Sequence, residues 1–127
     1  MKKEILQSSS APAAIGPYSQ GVAAGEFVFL SGMLGIDPAT GAIVGTTAEE
    51  QAEQICLNLD ALLRSQGMRP ENVVKTTVFL KDLGAFAAVN AVYGKLFSTQ
   101  PPARSCVEVS RLPKDALVEI ECIALRG

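Results

Sequence analysis

The chain has 127 residues, 48% of them apolar and 6% aromatic, which leaves room for one folded domain, residues 1–127, with an aliphatic core. Its formal net charge is −2 and its 11 basic residues form no stripe, so nucleic-acid binding is not expected. No stretch approaches the roughly 20 apolar residues of a membrane span, and the first residues lack the apolar segment of a signal peptide, so we expect a cytoplasmic protein without membrane association.

The first two predicted elements are a turn and a strand. Residues 16–21 (GPYSQG) contain two glycines and a proline, which predicts an ordered turn. Tyr18 in this turn could serve either as core packing or as a pocket wall with a phenolic hydrogen bond. Residues 26–31 (EFVFLS) are β-branched and aromatic and predict a strand that ends at Gly32.

The clearest predicted helix follows Thr47. Thr47 and Glu50 have the spacing of a capping box, and the acidic residues of the first turn complement the helix dipole. Gly67 occupies the position at which glycine commonly ends a helix. The apolar residues between them recur at helical spacing and predict one buried stripe: Ala52, Ile55, Cys56, Leu59, Leu62 and Leu63.

The second half of the chain predicts a strand, a helix and two further strands. Residues 73–81 (VVKTTVFLK) predict a strand, and Asp82 is placed to cap a second helix. Residues 105–110 and 117–125 predict the last two strands. One side of the second helix carries Phe86, Val89, Asn90, Tyr93 and Phe97. This order of elements predicts an α+β domain in which two helices pack on one face of the sheet.

Two acidic residues lie on a predicted strand face that also carries leucine and isoleucine. Period-two alternation in residues 117–125 places Glu119 and Glu121 on this face, opposite the apolar face. Burying a carboxylate is costly unless a cation or several donors meet it. Either both acids are solvated or face another subunit, or one of them lies in a pocket with a raised pKa and acts as an acid or base.

Arg104 and Asn90 are further polar residues at predicted structured positions. Arg104 begins the strand that follows two prolines, and Cys106 and Glu108 share its face. A guanidinium held on a rigid strand can bind a carboxylate through two parallel hydrogen bonds, while a structural ion pair is the alternative. Asn90, on the apolar stripe of the second helix, either satisfies a backbone group or reaches a pocket.

The chain contains no histidine, which excludes histidine-based triads, histidine–zinc sites and imidazole acid–base catalysis. Proton transfer near neutral pH must then use a carboxylate, tyrosine, cysteine, lysine or water. The three cysteines are widely spaced in apolar surroundings and predict small buried side chains, not nucleophiles. Alone, the residue pattern indicates a polar pocket without naming its ligand.

Four segments in this order resemble the RidA (YjgF) family over nearly the whole chain. The resemblance implies a chorismate-mutase-like α+β domain that forms a homotrimer, with pockets in the clefts between subunits. It also implies hydrolysis of 2-imino acids, such as 2-iminopropanoate and 2-iminobutanoate, to 2-keto acids and ammonia, without a metal or cofactor. The matching segments are residues 13–21, 75–82, 86–93 and 102–121.

The family's site residues fall on matching positions of this chain. The resemblance implies that Arg104 binds the substrate carboxylate and that Glu119 activates water. The residues that line the pocket in the family fall on Tyr18, Ser31, Gly32, Asn90 and Cys106, so Cys106 would be a pocket wall. Many members have glutamine at Met33 and proline at Gly35, and this chain has a shorter form of the loop at 97–103. These departures concern substrate selection.

A second function remains open at this stage. The family is also associated with regulation of amino-acid and purine metabolism and with inhibition of translation or RNA cleavage. The chain would then be a non-catalytic trimer that binds a metabolite or a partner protein. Catalysis of RNA cleavage of the usual kind is disfavoured by the acidic balance and the missing histidine.

Overall fold

A mixed six-stranded sheet organises the computed structural model, which describes residues 2–127. The sheet order is β1-β2-β3-β6-β4-β5, and the β4–β5 pair is parallel while the other neighbours are antiparallel. The helices are α1 (Ala48–Ser65) and α2 (Phe86–Leu96). The strands are β1 (Lys3–Leu6), β2 (Gly21–Ala24), β3 (Phe27–Met33), β4 (Val73–Leu80), β5 (Ala103–Glu108) and β6 (Val118–Leu125).

Helix α1 begins and ends as predicted. The Glu50 amide donates to Thr47 Oγ1 at 3.1 Å and the Thr47 amide donates to Glu50 Oε1 at 3.2 Å, which completes the capping box. These backbone and hydroxyl hydrogen bonds lower the pKa of the Glu50 carboxyl. At the other end Gly67 adopts φ +73°, and its amide and that of Met68 donate to carbonyls of the last turn. This is the Schellman arrangement that favours glycine.

Helix α2 begins later than predicted. Asp82 was expected to cap it, but Asp82 Oδ1 accepts a hydrogen bond from the Gly84 amide at 2.8 Å within a separate 3₁₀ turn. The helix proper starts at Phe86 after Ala85, which provides no side-chain cap. The capping prediction was therefore wrong, because a short aspartate-initiated turn takes up the residues in between.

Strands β1 and β2 were not predicted. Each has four residues, and three of the four in β1 are exposed, so neither carries a strong periodic pattern. β2 pairs with β3 and β1 pairs with β2, and this pairing supplies the backbone hydrogen bonds that the sequence pattern does not indicate. They extend the sheet on the side of the chain's N-terminal segment.

The sheet has one covered and one open face. On the helix face, Val118, Ile120, Cys122 and Ala124 of β6 are buried against α1 and α2, as the alternation predicted. The open face carries large apolar side chains that are 42–47% exposed: Phe27, Phe29, Val107 and Leu125. Two helices on one sheet face confirm the predicted fold class. Across residues 2–127, the helices are too short or too polar to span a bilayer.

Candidate functional site

A cavity of about 650 Å³ lies where β3 ends and the antiparallel strand β6 begins. Its floor is formed by β3 and the Glu119 end of β6, and one wall comes from residues 12–20. The rim includes the loop at Pro113 and Lys114. Apolar lining side chains surround a small number of polar groups, which is the usual character of small-molecule sites.

A β-bulge sets the geometry of the cavity floor. Leu30 pairs with Cys122 and Met33 pairs with Ile120, so two residues of β3, Ser31 and Gly32, face a single residue of β6. Bulges of this kind re-aim side chains and are common beside active sites. Ser31 Oγ donates to the Ser19 carbonyl at 2.6 Å, which ties the bulge to the segment before β2.

Glu119 lies directly over the bulge. A Cβ atom built on Gly32 would overlap the Glu119 carboxylate, so the glycine is what allows this side chain to lie across β3. Glu119 also lines the cavity, so the carboxylate lies between the bulge and the cavity space. Burial raises the pKa of the Glu119 carboxyl, and the neighbouring charge of Glu121 raises it further.

A second cluster surrounds Arg104 on β5. Arg104 Nη1 donates to Asn90 Oδ1 on α2 at 2.6 Å. The guanidinium carbon lies 4.9 Å from the ring centroid of Tyr93 and 5.4 Å from that of Phe86. Tyr93 is held in turn by a 2.6 Å hydrogen bond between its hydroxyl and that of buried Thr76. The aromatic rings and the amide orient the guanidinium while its remaining N–H groups stay available for a ligand.

Cys106 lies beside Arg104 as a neutral thiol. Burial raises the pKa of the Cys106 thiol, and the nearby Arg104 charge offsets this only in part. A thiol with a raised pKa is a weak nucleophile, since the thiolate is the reactive form. This disfavours covalent catalysis by Cys106.

Within one chain the two clusters lie on opposite sides of the sheet. Arg104 pairs with Thr76, whose side chain is buried beneath α2. Glu119 pairs with Phe79, three residues further along β4 and therefore on the opposite, open face. Arg104 does not line the Glu119 cavity. The Arg104 cluster therefore lies at the β5 edge of the sheet, on the side that α2 covers.

Comparisons with known proteins place this arrangement in a family. A family model described as "Endoribonuclease L-PSP" matches residues 8–126. The chain belongs to the RidA (YjgF) family. It is 54% identical over 127 residues to the RutC family protein slr0709 of Synechocystis, covering 98% of each chain. It is 50% identical over 126 residues to the 2-iminobutanoate/2-iminopropanoate deaminase of Salmonella typhimurium, covering 97% of this chain and 98% of that protein.

A solved structure shares the whole RidA-family fold. The crystal structure of E. coli TdcF with bound serine superposes with a TM-score of 0.92 at 42% identity, covering 98% of this chain and 99% of that chain. The predicted family membership is thereby confirmed. The similarity extends over both clusters, from the bulge in β3 to the end of β6.

The RidA-family site residues predicted from the sequence form two groups in the structure. One group, at the cavity, comprises Tyr18, Ser31, Gly32 and Glu119. The other, between β5 and α2, comprises Asn90, Arg104 and Cys106. Tyr18 is 53% exposed and its hydroxyl accepts a hydrogen bond from the Ile15 amide at 3.3 Å, so it is a pocket wall and not core packing.

Several lining residues were not predicted. Gln20 and Lys114 line the cavity. Glu121, which the strand alternation had marked together with Glu119, lines it as well. Lys114 and Asp115 adopt φ of 57° and 53°, a left-handed conformation that non-glycine residues seldom take. A hydrogen bond of 2.7 Å from Arg111 Nε to Asp115 Oδ1 supports this turn, and it lowers the pKa of the Asp115 carboxyl. The sequence showed only a polar loop between the last two strands. A polar loop does not indicate which backbone conformation its residues adopt.

Proposed function

We propose that the protein hydrolyses 2-imino acids, such as 2-iminopropanoate and 2-iminobutanoate, to 2-keto acids and ammonia. Arg104 binds the substrate carboxylate and Glu119 activates the attacking water. The observation that carries this proposal is the pair of clusters described above. One presents an oriented guanidinium, and the other presents a half-buried carboxylate with a raised pKa above an apolar cavity. The activity named for the Salmonella relative supports it.

Arg104 supplies the substrate anchor. Its planar fork suits a carboxylate, and Asn90 and the ring of Tyr93 hold it in one orientation. Anchoring the carboxylate fixes the adjacent C2 carbon against Glu119 and removes much of the entropic cost of the reaction. The bound serine in E. coli TdcF, an amino acid with the same carboxylate, is consistent with this role.

Glu119 then acts as base and acid in turn. The ionised carboxylate accepts a proton from water while the water oxygen attacks C2 of the protonated imine, giving a carbinolamine. Glu119 returns the proton to nitrogen and the C2–N bond breaks. The remaining hydroxyl becomes the ketone as its proton passes to Glu119 and from there to the departing ammonia, which leaves as ammonium. A protonated imine is already electrophilic, so neither a cofactor nor a covalent nucleophile is needed.

A homotrimer would bring the two clusters into one cleft. Each chain carries the Arg104 cluster at its β5 edge and the Glu119 cavity on the open face. A head-to-tail contact between copies therefore unites Arg104 of one subunit with Glu119 of the next. The exposed Phe27 and Phe29 on the open face are apolar surface of the kind that such an interface covers. The family resemblance implies closure of the ring at three subunits.

The coupled assay is the direct test of the proposed activity. Purified protein added to a threonine dehydratase and its substrate should accelerate the release of 2-ketobutanoate over buffer, in proportion to the protein added. The keto acid is measured by its absorbance as a hydrazone. Bovine serum albumin at equal mass is the control. No acceleration at any protein level would favour a non-catalytic binding protein.

The assembly is tested separately by size-exclusion chromatography with light scattering. We expect a mass three times that of the 13.3 kDa chain. A Phe29→Glu variant should shift the protein toward monomer and lose activity, because a charge would be buried at the open face. The exposed Glu71→Gln substitution is the control. A wild-type protein that stays monomeric while active would contradict the shared cleft.

Imine hydrolysis fits this site better than RNA cleavage, despite the description of the family model. The chain has no histidine to transfer protons at a ribose hydroxyl. Glu119 and Glu121 face the cavity and would repel a phosphate, with Lys114 the one cation that lines it in the described chain. A small monocarboxylate carries a single negative charge, and in the proposed cleft the Arg104 guanidinium neutralises it.

A further inference from the structure

Gln20 is a buried residue to which the proposed reaction assigns no role. It is 8% exposed, lies just before β2 and belongs to the 16–21 turn. Its backbone carbonyl accepts a hydrogen bond of 2.9 Å from the Ser31 amide at the bulge. Gln20 is therefore attached to the cavity floor through its main chain, which leaves its side chain free to hold something else.

The Gln20 side chain holds the segment of residues 8–12. Its Oε1 accepts from the Ser8 amide at 2.7 Å. Its Nε2 lies within hydrogen-bonding distance of three carbonyl oxygens: Ser8 at 3.1 Å, Ala11 at 3.3 Å and Pro12 at 2.6 Å. One amide thus satisfies both the donor and the acceptors of a stretch that belongs to no helix or strand.

Little else fastens this segment. In the described chain, no backbone–backbone hydrogen bond of standard geometry ties residues 7–15 to another part of the molecule. Ala11 is the one fully buried apolar side chain between residues 7 and 15. Segments with few buried contacts and few backbone hydrogen bonds open at low free-energy cost. The Gln20 amide therefore decides whether this segment is ordered.

The held segment continues directly into the outer wall of the cavity. Pro12, Ala13 and Ile15 line the cavity across from Glu119. Their apolar side chains can contact the side chain of a bound ligand. Glu119 itself is positioned by the Gly32 bulge and by β6, which do not depend on this segment.

We propose that Gln20 is a positioning residue that fastens residues 8–13 as the outer wall of the Glu119 cavity and thereby sets substrate affinity. This inference rests on the proposed function for its kinetic consequence. Its structural consequence, the fastening of the segment, is independent of any activity. The wall contributes binding to substrate and transition state alike, so its loss raises KM and leaves kcat nearly unchanged.

The test uses Gln20→Met, which keeps the length of the side chain and removes all four hydrogen bonds without adding charge. Loss of these bonds should raise KM for 2-iminobutanoate by roughly tenfold while kcat changes by less than about threefold. Hydrogen exchange should accelerate by at least about tenfold at the Ser8 amide, which donates to Gln20 Oε1, and at the Ser10 amide, which donates to Ser8 Oγ, with β6 still protected. Gln66→Met, at the end of α1, is the matched control.

A second variant guards against misfolding of the first. Gln20→Glu keeps an acceptor for the Ser8 amide but loses the donors and places a negative charge beside three carbonyls, so the same direction of effect is expected. Unchanged exchange at the Ser8 and Ser10 amides in a folded variant would refute the fastening, and faster exchange with a wild-type KM would refute the wall's role. If the wild-type protein hydrolyses no imino acid, the proposed function fails while the exchange result still decides whether Gln20 fastens the segment.

Discussion

Replacing Glu119 by glutamine is expected to lower kcat for 2-imino acid hydrolysis by about 10²–10⁴-fold, the usual contribution of a general base. Glutamine has the same shape, so it can lie over Gly32 as the carboxylate does, but it cannot accept a proton from water. KM should change little, because the substrate carboxylate binds elsewhere. The measurement is steady-state kinetics in the coupled assay. Glu71→Gln, an exposed carboxylate away from the cavity, is the control.

The pH profile gives the same prediction a second readout. The base must be ionised, and burial favours its neutral form, so activity is lost as the pH falls through the raised pKa of Glu119. The acid limb of kcat/KM should therefore lie above the ordinary glutamate value of 4.5. Glu121→Gln removes the second cause of the raised pKa and should move this limb to lower pH. If Glu119→Gln kept the wild-type kcat, or if Glu121→Gln left the acid limb of the pH profile unchanged, the general base would be a group other than Glu119.

The fold was predictable wherever the signal is local. The capping box of α1 and its ending at Gly67 depend on residues within one turn of each other, and both formed as expected. The alternation in β6 depends on one strand and a period of two. Strands β1 and β2 were missed because each has four residues and β1 forms only by pairing with β2, about 15 residues further along the chain. Asp82 caps the 3₁₀ turn before α2 and not α2 itself. An aspartate at a capping position does not specify which kind of helical turn follows it.

Part of the candidate site was predictable from the sequence, but its arrangement was not. Alternation identified the face that carries Glu119, and strand position singled out Arg104. Arg104 on β5 and Glu119 on β6 lie on opposite faces of the sheet because of the registers in which both strands pair with β4. Strand register is a long-range property that the sequence of one strand does not specify. The bulge at Ser31 and Gly32 also follows from pairing with β6. The role of Gln20 required knowing that residues 8–12 return to it.

Replacing Arg104 by alanine is expected to lower kcat/KM by about 10²–10³-fold, since truncating one partner of a hydrogen-bonded charge pair costs a few kcal/mol. Arg104→Lys should recover part of the loss, because lysine keeps the charge but not the planar fork that stacks on Tyr93. Arg64→Ala, which breaks an exposed ion pair with Asp60 on α1, should have no effect. A regulatory protein whose partner binds outside the cleft would keep its partner binding in Arg104→Ala.

Mixing the two inactive variants tests whether the site is shared. Arg104→Ala and Glu119→Gln chains, co-expressed with different affinity tags and purified through both, should form mixed trimers. Each mixed trimer contains two chains of one variant and one chain of the other. In both cases one cleft in three joins an intact Arg104 to an intact Glu119 of the next subunit, so about one third of wild-type activity should return. A site within one chain predicts none, because every chain then lacks one of the two groups. The opposite placement of the clusters across the sheet makes the first outcome the expected one.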